Sequence, residues 1–87
     1  MKSYKIYGKA SCGYCVRLVQ AMIDKKINFF VEFLDEKPER LQQKKDHYNH
    51  PTVPIVVLRE MGKETLIGGS TEALKEIKKG EINEQHG

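Results

Sequence analysis

The chain has 87 residues, of which 39% are hydrophobic, and this is enough for one small core but not for two. Its 15 basic and 12 acidic residues are interspersed and leave a net charge of +3, so the sequence lacks the basic stripe of nucleic-acid-binding proteins. It also lacks a signal-peptide core and any apolar run that could span a bilayer, so we expect a cytoplasmic protein without membrane contacts.

The first part of the chain predicts a strand followed by a helix. A short β-prone segment runs from Tyr4 to Tyr7 and is ended by Gly8. Apolar side chains then recur at positions 15, 18, 19, 22 and 23, which is the spacing of one helix face. We therefore expect a helix from about Cys12 to Lys25.

The middle of the chain predicts a second strand and a surface helix. Residues 29–34 are rich in aromatic and branched side chains, are too few for a helix, and are followed by a turn at residues 35–38. From Pro38 to Tyr48 the sequence is polar with a thin apolar stripe at helical spacing, and proline suits the first turn of a helix.

The last part of the chain predicts a hairpin and a short helix. Ile55 to Leu58 and Glu64 to Ile67 are β-prone runs separated by a glycine-containing turn. After Gly68-Gly69, apolar residues at helical spacing predict a helix that ends before Gly80. We expect residues 81–87 to form a frayed tail.

Together these elements predict one α/β domain over residues 1–80, in the order β-α-β-α-β-β-α and without an internal repeat. A parallel β-α-β unit that leads into an antiparallel hairpin gives a mixed four-stranded sheet with helices on both faces as the simplest packing.

The chain's two cysteines, Cys12 and Cys15, are expected to be chemically unequal. The predicted helix turns Cys15 toward the core and leaves Cys12 at its first turn, where unpaired N–H groups and about half a positive charge favour a thiolate. In a reducing compartment such a pair is more often catalytic or metal-binding than a permanent staple. We predict Cys12 as the attacking nucleophile and Cys15 as the residue that resolves the product.

A zinc site formed by this pair with His47 and His50 fits the sequence poorly. Finger-type sites have about a dozen residues between the two pairs and three to five between the histidines. Here 31 residues intervene, and only two separate the histidines. We therefore expect no metal at these four residues.

Four short motifs occur along this order of elements: Lys9, Cys12-Gly13-Tyr14-Cys15, Thr52-Val53-Pro54 and Gly68-Gly69-Ser70-Thr71-Glu72. Together with the order of elements, they resemble the glutaredoxin family, dithiol type, within the thioredoxin-fold superfamily. The resemblance covers roughly residues 3–79 and implies the thioredoxin-like fold.

The resemblance implies a glutathione site built from residues in three of these motifs and from Lys9. The family's binding positions correspond to Lys9, Tyr14, Thr52, Val53, Pro54, Gly69, Thr71 and Glu72. One further contact from the second helix is common in the family, and Gln43, Lys44 and Lys45 are its candidates here.

Each implied contact has a physical rationale. Lys9 would supply charge for the glycyl carboxylate, and Tyr14 would form a wall of the groove. The Val53–Pro54 bond is cis in this superfamily and faces the cysteines, which frees the Val53 backbone to pair with the cysteinyl unit. The N–H groups of Thr71 and Glu72 would bind the γ-glutamyl carboxylate. Glu72 stands where the family commonly has Asp, whose carboxylate helps to hold the ligand's amino group.

The implied activity is that of a glutathione-dependent thiol-disulfide oxidoreductase with roles in electron transport and cell redox homeostasis. Glutathione would be the co-substrate, and disulfide-bonded or glutathionylated proteins would be the partners. We expect a monomer.

Two alternatives remain open. Gly13 replaces the proline most common in dithiol members, and glycine there is also seen in members that hold a [2Fe-2S] cluster between two subunits with glutathione as co-ligand. The chain could also be a dedicated hydrogen donor to ribonucleotide reductase, reduced by thioredoxin reductase. A second departure is Ile55, where a polar residue is usual, and we expect it to affect the chemistry little.

Overall fold

Four strands and three helices follow one another in the predicted order. The computed structural model describes residues 2–86, and among them the side chains of residues 2–78. The elements are β1 (Lys2–Gly8), α1 (Gly13–Asp24), β2 (Phe29–Phe33), α2 (Pro38–His47), β3 (Ile55–Glu60), β4 (Lys63–Gly68) and α3 (Ser70–His86).

The strands form the predicted mixed four-stranded sheet, and their order in it is β2-β1-β3-β4. β1 runs parallel to β2 and antiparallel to β3, and β3 and β4 form an antiparallel hairpin. Met61 and Gly62 close that hairpin with φ angles of 51° and 79°. Positive φ at both central residues suits a two-residue turn whose twist matches the strands.

Side chains that alternate along the strands divide the core between the two faces of the sheet. On one face, Ile6 and Val56 pack with Leu18 and Met22 of α1 and with Ile77 of α3. On the other face, the buried side chains of β1 and β3 pack with α2; this cluster is Tyr7, Leu34, Leu41, Ile55 and Val57. The prediction of helices on both faces is confirmed.

The helix α3 continues past Gly80, so the predicted end of this helix is wrong. A glycine inside a helix costs about 1 kcal/mol relative to alanine, which is less than a proline would cost. Residues 81–86 contain no proline and include good helix formers such as glutamate and glutamine, so the helical pattern can resume. The side chains of residues 79–87 lie outside the described residues, and the fraying of residues 81–87 stays a prediction.

Within the described part of the chain, no helix combines the length and the hydropathy that crossing a membrane requires.

Candidate active site

The two cysteines lie at the start of α1, directly after a tight turn that follows β1. The Cys12 N–H donates a hydrogen bond of 3.1 Å to the Lys9 carbonyl, and Cys12 is the N-cap of α1 with φ −95° and ψ 117°. The first helical hydrogen bond then runs from the Val16 N–H to the Cys12 carbonyl at 3.1 Å. The Cys12 sulfur is therefore placed beside N–H groups that have no partner within the helix.

The two thiols, both free, differ in exposure and in acidity. Cys12 is half-buried and Cys15 is fully buried. Burial is the main cause that raises the pKa of Cys15 to about 11. Partial burial opposes ionisation of Cys12 as well, but hydrogen bonds from the Cys15 N–H and thiol and from the Tyr14 N–H, with the charge of Lys9, lower its pKa overall. The negative charge of the pair therefore belongs on Cys12, and the predicted burial of Cys15 is confirmed.

Gly8 allows the end of β1, Cys15 and Pro54 to come close together. A Cβ atom at Gly8 would lie 2.6 Å from the Cys15 sulfur and 3.9 Å from the Pro54 Cβ. The Val53–Pro54 peptide bond is cis, which confirms the prediction, and Pro54 is buried. Because both neighbours contact the same face of Gly8, Pro54 lies on the side of the sheet that holds the cysteines.

The start of α3 closes the other side of this site. The Ala73 N–H donates to the Gly69 carbonyl at 3.0 Å, so Gly69 occupies the N-cap position. The Gly69 N–H in turn donates to Glu72 Oε1 at 2.8 Å, as the glutamate of a capping box does. The N–H groups of Thr71 and Glu72 precede the first helical bond and have no partner within the helix.

Gly68 and Gly69 allow the chain before α3 to pack closely against Glu72 and against the loop that holds His50 and Pro54. A Cβ atom at Gly68, whose φ is 126°, would lie 2.8 Å from Glu72 Oε1. One at Gly69 would lie 3.7 Å from the Pro54 carbonyl oxygen and 3.8 Å from the His50 ring. The sequence motifs around Pro54 and Gly69 are thus adjacent in space.

The remaining predicted residues vary in how closely they approach the cysteines. Lys9 is half-buried and acts on Cys12 both through its carbonyl and through its charge. Tyr14 is 64% exposed, and its ring lies 5.3 Å from the Arg17 guanidinium carbon. Thr52 and Thr71 are exposed, and Val53 is half-buried.

Of the three candidates on α2, Lys44 has a described contact with the strand that leads to the cysteines. Its Nζ lies 5.1 Å from the centre of the Tyr7 ring, and Tyr7 immediately precedes Gly8. Gln43 is exposed and Lys45 is half-buried.

Sequence reasoning missed two residues of this site. Asp35, read only as part of a turn, accepts hydrogen bonds from the Ala10 and Ser11 N–H groups at 2.7 Å and 3.1 Å. His50, considered only for zinc, has its Nδ1 2.8 Å from the Thr52 carbonyl oxygen. The parallel pairing of β1 and β2 was a usable signal for Asp35, because the loops after two parallel neighbours lie at the same edge of a sheet. The sequence offered no comparable signal for His50.

Both the sequence and the fold of this chain are similar to those of known proteins. The family model described as Glutaredoxin matches residues 5–61. Glutaredoxin 1 from Francisella tularensis, in complex with cacodylate, is 27% identical, with a TM-score of 0.74 over 95% of this chain and 99% of that one. The holo form of glutaredoxin C1 from Populus tremula x tremuloides is 29% identical, with a TM-score of 0.70 over 91% of this chain and 70% of that one.

A more distant structure shares the fold alone. Maleylacetoacetate isomerase from Anaeromyxobacter dehalogenans, with glutathione bound in its active site, is 20% identical, with a TM-score of 0.59 over 90% of this chain and 37% of that one. A search of curated protein sequences finds no significant match.

Proposed function

This chain belongs to the glutaredoxin family of thiol-disulfide oxidoreductases, and we propose that it is a glutathione-dependent reductase of protein disulfides and glutathione mixed disulfides. The observation that carries the proposal is the inequality of the two thiols. Cys12 is half-exposed with a lowered pKa, whereas Cys15 is buried with a pKa raised to about 11. A nucleophile and a resolving thiol need these opposite properties.

With a glutathionylated protein as substrate, Cys12 alone would carry the reaction. Its thiolate attacks the glutathione sulfur, the protein thiolate leaves and takes a proton, and Cys12 becomes disulfide-bonded to glutathione. A second glutathione thiolate then attacks the bound glutathione sulfur, which releases glutathione disulfide and returns the Cys12 thiolate. A lowered pKa helps this last step, because a more acidic thiol leaves a mixed disulfide faster.

With a protein disulfide as substrate, Cys15 would complete the reaction. At a pKa of about 11, only about one Cys15 thiol in ten thousand is ionised at pH 7. After burial, the causes that raise this pKa include a hydrogen bond to Cys12 and the charge of Cys12. Both disappear once Cys12 is part of a mixed disulfide, so Cys15 becomes more acidic at the step where it must attack.

The positions of three backbone and charged groups support a glutathione site beside Cys12. The half-buried Lys9 offers positive charge, the Val53 backbone precedes the cis bond, and the free N–H groups at the start of α3 suit a carboxylate. Glu72 gives Oε1 to the Gly69 N–H, which leaves Oε2 for the ligand's ammonium group. The longer glutamate side chain folds back over Gly68, so it can serve where an aspartate is usual.

Two substitutions test this assignment. We expect Cys15→Ser to retain release of glutathione from a glutathionylated peptide but to lose reduction of an intramolecular protein disulfide, because only the second reaction needs a resolving thiol. Cys12→Ser should lose both. Both reactions are followed by NADPH oxidation with glutathione and glutathione reductase, and circular dichroism of each variant controls for folding. Activity that survives in Cys12→Ser would refute the assignment.

The two alternative functions, a [2Fe-2S] cluster carrier and a dedicated hydrogen donor to ribonucleotide reductase, stay predictions, and each has its own test. For a cluster carrier, Cys12 is the thiol of the pair with the exposure and the lowered pKa that a metal ligand needs. A protein that remains a colourless monomer after anaerobic reconstitution with iron, sulfide and glutathione would exclude it. A dedicated hydrogen donor would turn over faster with thioredoxin reductase than with glutathione and glutathione reductase.

A further inference from the structure

The loops that follow β1 and β2 are joined by a single carboxylate. The Ala10 N–H donates to Asp35 Oδ1 at 2.7 Å, and the Ser11 N–H donates to Asp35 Oδ2 at 3.1 Å. Both donors are backbone groups of the turn that the hydrogen bond between Cys12 and Lys9 closes. The carboxylate therefore holds the backbone that immediately precedes the reactive cysteine.

Although Asp35 is exposed, its backbone is well anchored. The preceding Leu34 is 1% exposed, and its N–H donates to the Gly8 carbonyl at 2.8 Å. The Lys37 N–H donates to the Leu34 carbonyl at 3.1 Å, which closes the turn around Asp35. The hydrogen bond from Ala10 is the main cause that lowers the pKa of Asp35, so the carboxylate is ionised at neutral pH. A charged acceptor held in this way fixes the turn better than a mobile surface acid would.

The placement of this turn matters for the Cys12 sulfur. The N–H groups of Tyr14 and Cys15 lower the pKa of Cys12 by hydrogen bonding to its sulfur, and that requires the N-cap residue to be correctly oriented. The orientation depends on the backbone at Ala10 and Ser11, which are the two residues that Asp35 binds. Loss of the carboxylate would loosen the link between the turn and the first turn of α1.

We propose that Asp35 is a positioning residue for the dithiol, which holds the turn of residues 9–12 so that the Cys12 sulfur meets the N–H groups at the start of α1. The inference rests on the proposed function in that Cys12 is the nucleophile. It goes beyond that function because Asp35 belongs neither to the dithiol nor to the predicted glutathione-binding residues, and its hydrogen bonds are with Ala10 and Ser11.

Two effects of Asp35 oppose each other, and this makes the inference testable. Burial is the largest cause that raises the pKa of Cys15, and the negative charge of Asp35 adds to it. If Asp35 acted only through its charge, its removal would favour thiolates and speed alkylation of Cys12. If Asp35 positions the turn, its removal misaligns the N–H groups and slows alkylation at low pH.

The experiment measures alkylation of the fully reduced protein by iodoacetamide from pH 4 to pH 9, with the modified cysteine identified by mass spectrometry. For Asp35→Ala we expect a Cys12 rate about three- to tenfold below wild type on the low-pH limb, which corresponds to a pKa raised by about half to one unit. Asp35→Asn keeps one acceptor oxygen, so its Cys12 alkylation rate should fall between those of wild type and Asp35→Ala. Glu36→Gln is the matched control, because it removes the same charge one residue away.

Rates in both Asp35 variants that equal the control or exceed wild type would overturn the proposal. A lowered melting temperature with an unchanged pH profile would also overturn it, since this would show a merely structural role. If Asp35→Ala does not fold, Asp35→Asn decides by the same criteria. Alkylation needs no glutathione, so a wild-type protein inactive with glutathione substrates would refute the proposed function without affecting this result.

Discussion

Gly8, at the end of β1, packs directly against Cys15 and leaves no room for a side chain. A Cβ atom there would meet the Cys15 sulfur at 2.6 Å and the Cys15 Cβ at 3.2 Å, and Cys15 is fully buried. The Cys15 side chain is short and fully buried, so the clash cannot be relieved by turning the side chain into solvent. The identity of this residue therefore affects both the stability of the fold and the position of the Cys15 thiol.

We expect Gly8→Ala to lower the free energy of unfolding by about 1–3 kcal/mol, the usual cost of overpacking a core. Urea unfolding followed by circular dichroism measures the change. Gly13→Ala is the matched control, because its new Cβ would contact only the end of the Arg17 side chain, at 3.5 Å. If the two variants lose the same stability, the clash at Gly8 is not the cause.

The residues that sequence reasoning found and missed differ in the range of their contacts. Cys12 and Cys15 were assigned different environments because Cys15 belongs to the apolar face of α1, whereas Cys12 lies at the start of the helix, nearer solvent. Asp35 was missed because its partners lie 24 and 25 residues away and are backbone groups, which have no sequence identity to match. The cap of α3, which is Gly69 with Glu72, depends in the same way on a backbone N–H, which has no sequence identity to match.

At the scale of single elements, α1 shows why a glycine between the cysteines is not required by the backbone. Gly13 is the first residue of the helix, and it is absent from the described residues with positive φ. Cys12 before it has the extended backbone that a following proline demands. No described backbone hydrogen bond outside the helices is donated by the Gly13 N–H.

We therefore expect Gly13→Pro to fold and to raise the free energy of unfolding by about 0.4–1 kcal/mol, because proline restricts the unfolded chain at a position whose native backbone it can adopt. Thermal and urea unfolding of the reduced protein provide the measurement. Val16→Pro is the contrasting control, since its N–H donates to the Cys12 carbonyl and a proline there should cost about 3 kcal/mol. A destabilised Gly13→Pro would show that the first turn of α1 differs from this description.

The elements themselves were predicted well where local sequence patterns decide them, and less well at their ends. The helices were placed because apolar side chains recur at helical spacing, and the strands because short β-prone runs are bounded by turn residues. The end of α3 differs from the prediction because a single glycine such as Gly80 weakens a helix without ending it. Packing on neighbouring elements, which the sequence does not display, decides such cases.

At the scale of the whole molecule, α2 is tied by polar bonds to both edges of the sheet. Arg40 binds Glu32 on the edge strand β2 through two nitrogens, one of them at 3.0 Å, and Lys5 lies 3.4 Å from the same carboxylate. Tyr48, directly after α2, donates to Glu64 on the other edge strand, β4, at 3.0 Å. Leu41 is the buried residue of α2, so apolar packing of this helix is limited. The polar bonds therefore contribute to holding α2 across the sheet.

The pH dependence of the free energy of unfolding should report the interaction between Arg40 and Glu32. The hydrogen bond from Arg40 to Glu32 is the largest cause that lowers the pKa of Glu32, from 4.5 to about 2. Because the folded value lies below the unfolded one, the stabilisation is fully present above about pH 4.5 and is lost as the pH falls toward 2. Screening by solvent limits it to about 1 kcal/mol, because Arg40 is partly exposed.

We accordingly expect the wild type to lose about 1 kcal/mol more than Glu32→Gln in free energy of unfolding between pH 5 and pH 2, measured by urea titration at each pH. Glu36→Gln serves as the control because Glu36 has no ion pair among the described contacts, and it should follow the wild type. Parallel curves for wild type and Glu32→Gln would exclude Glu32 as a contributor to acid stability.

The contact between Gly8 and Cys15 also determines which part of the molecule changes when the dithiol is oxidised. The Cys15 sulfur is fully buried against the end of β1, whereas Cys12 lies in a half-exposed turn, so we expect Cys12 to move more than Cys15 when the two form a disulfide. The reduced and oxidised proteins should then differ mainly in the surface turn before α1. A partner that distinguishes the two forms is expected to contact this turn.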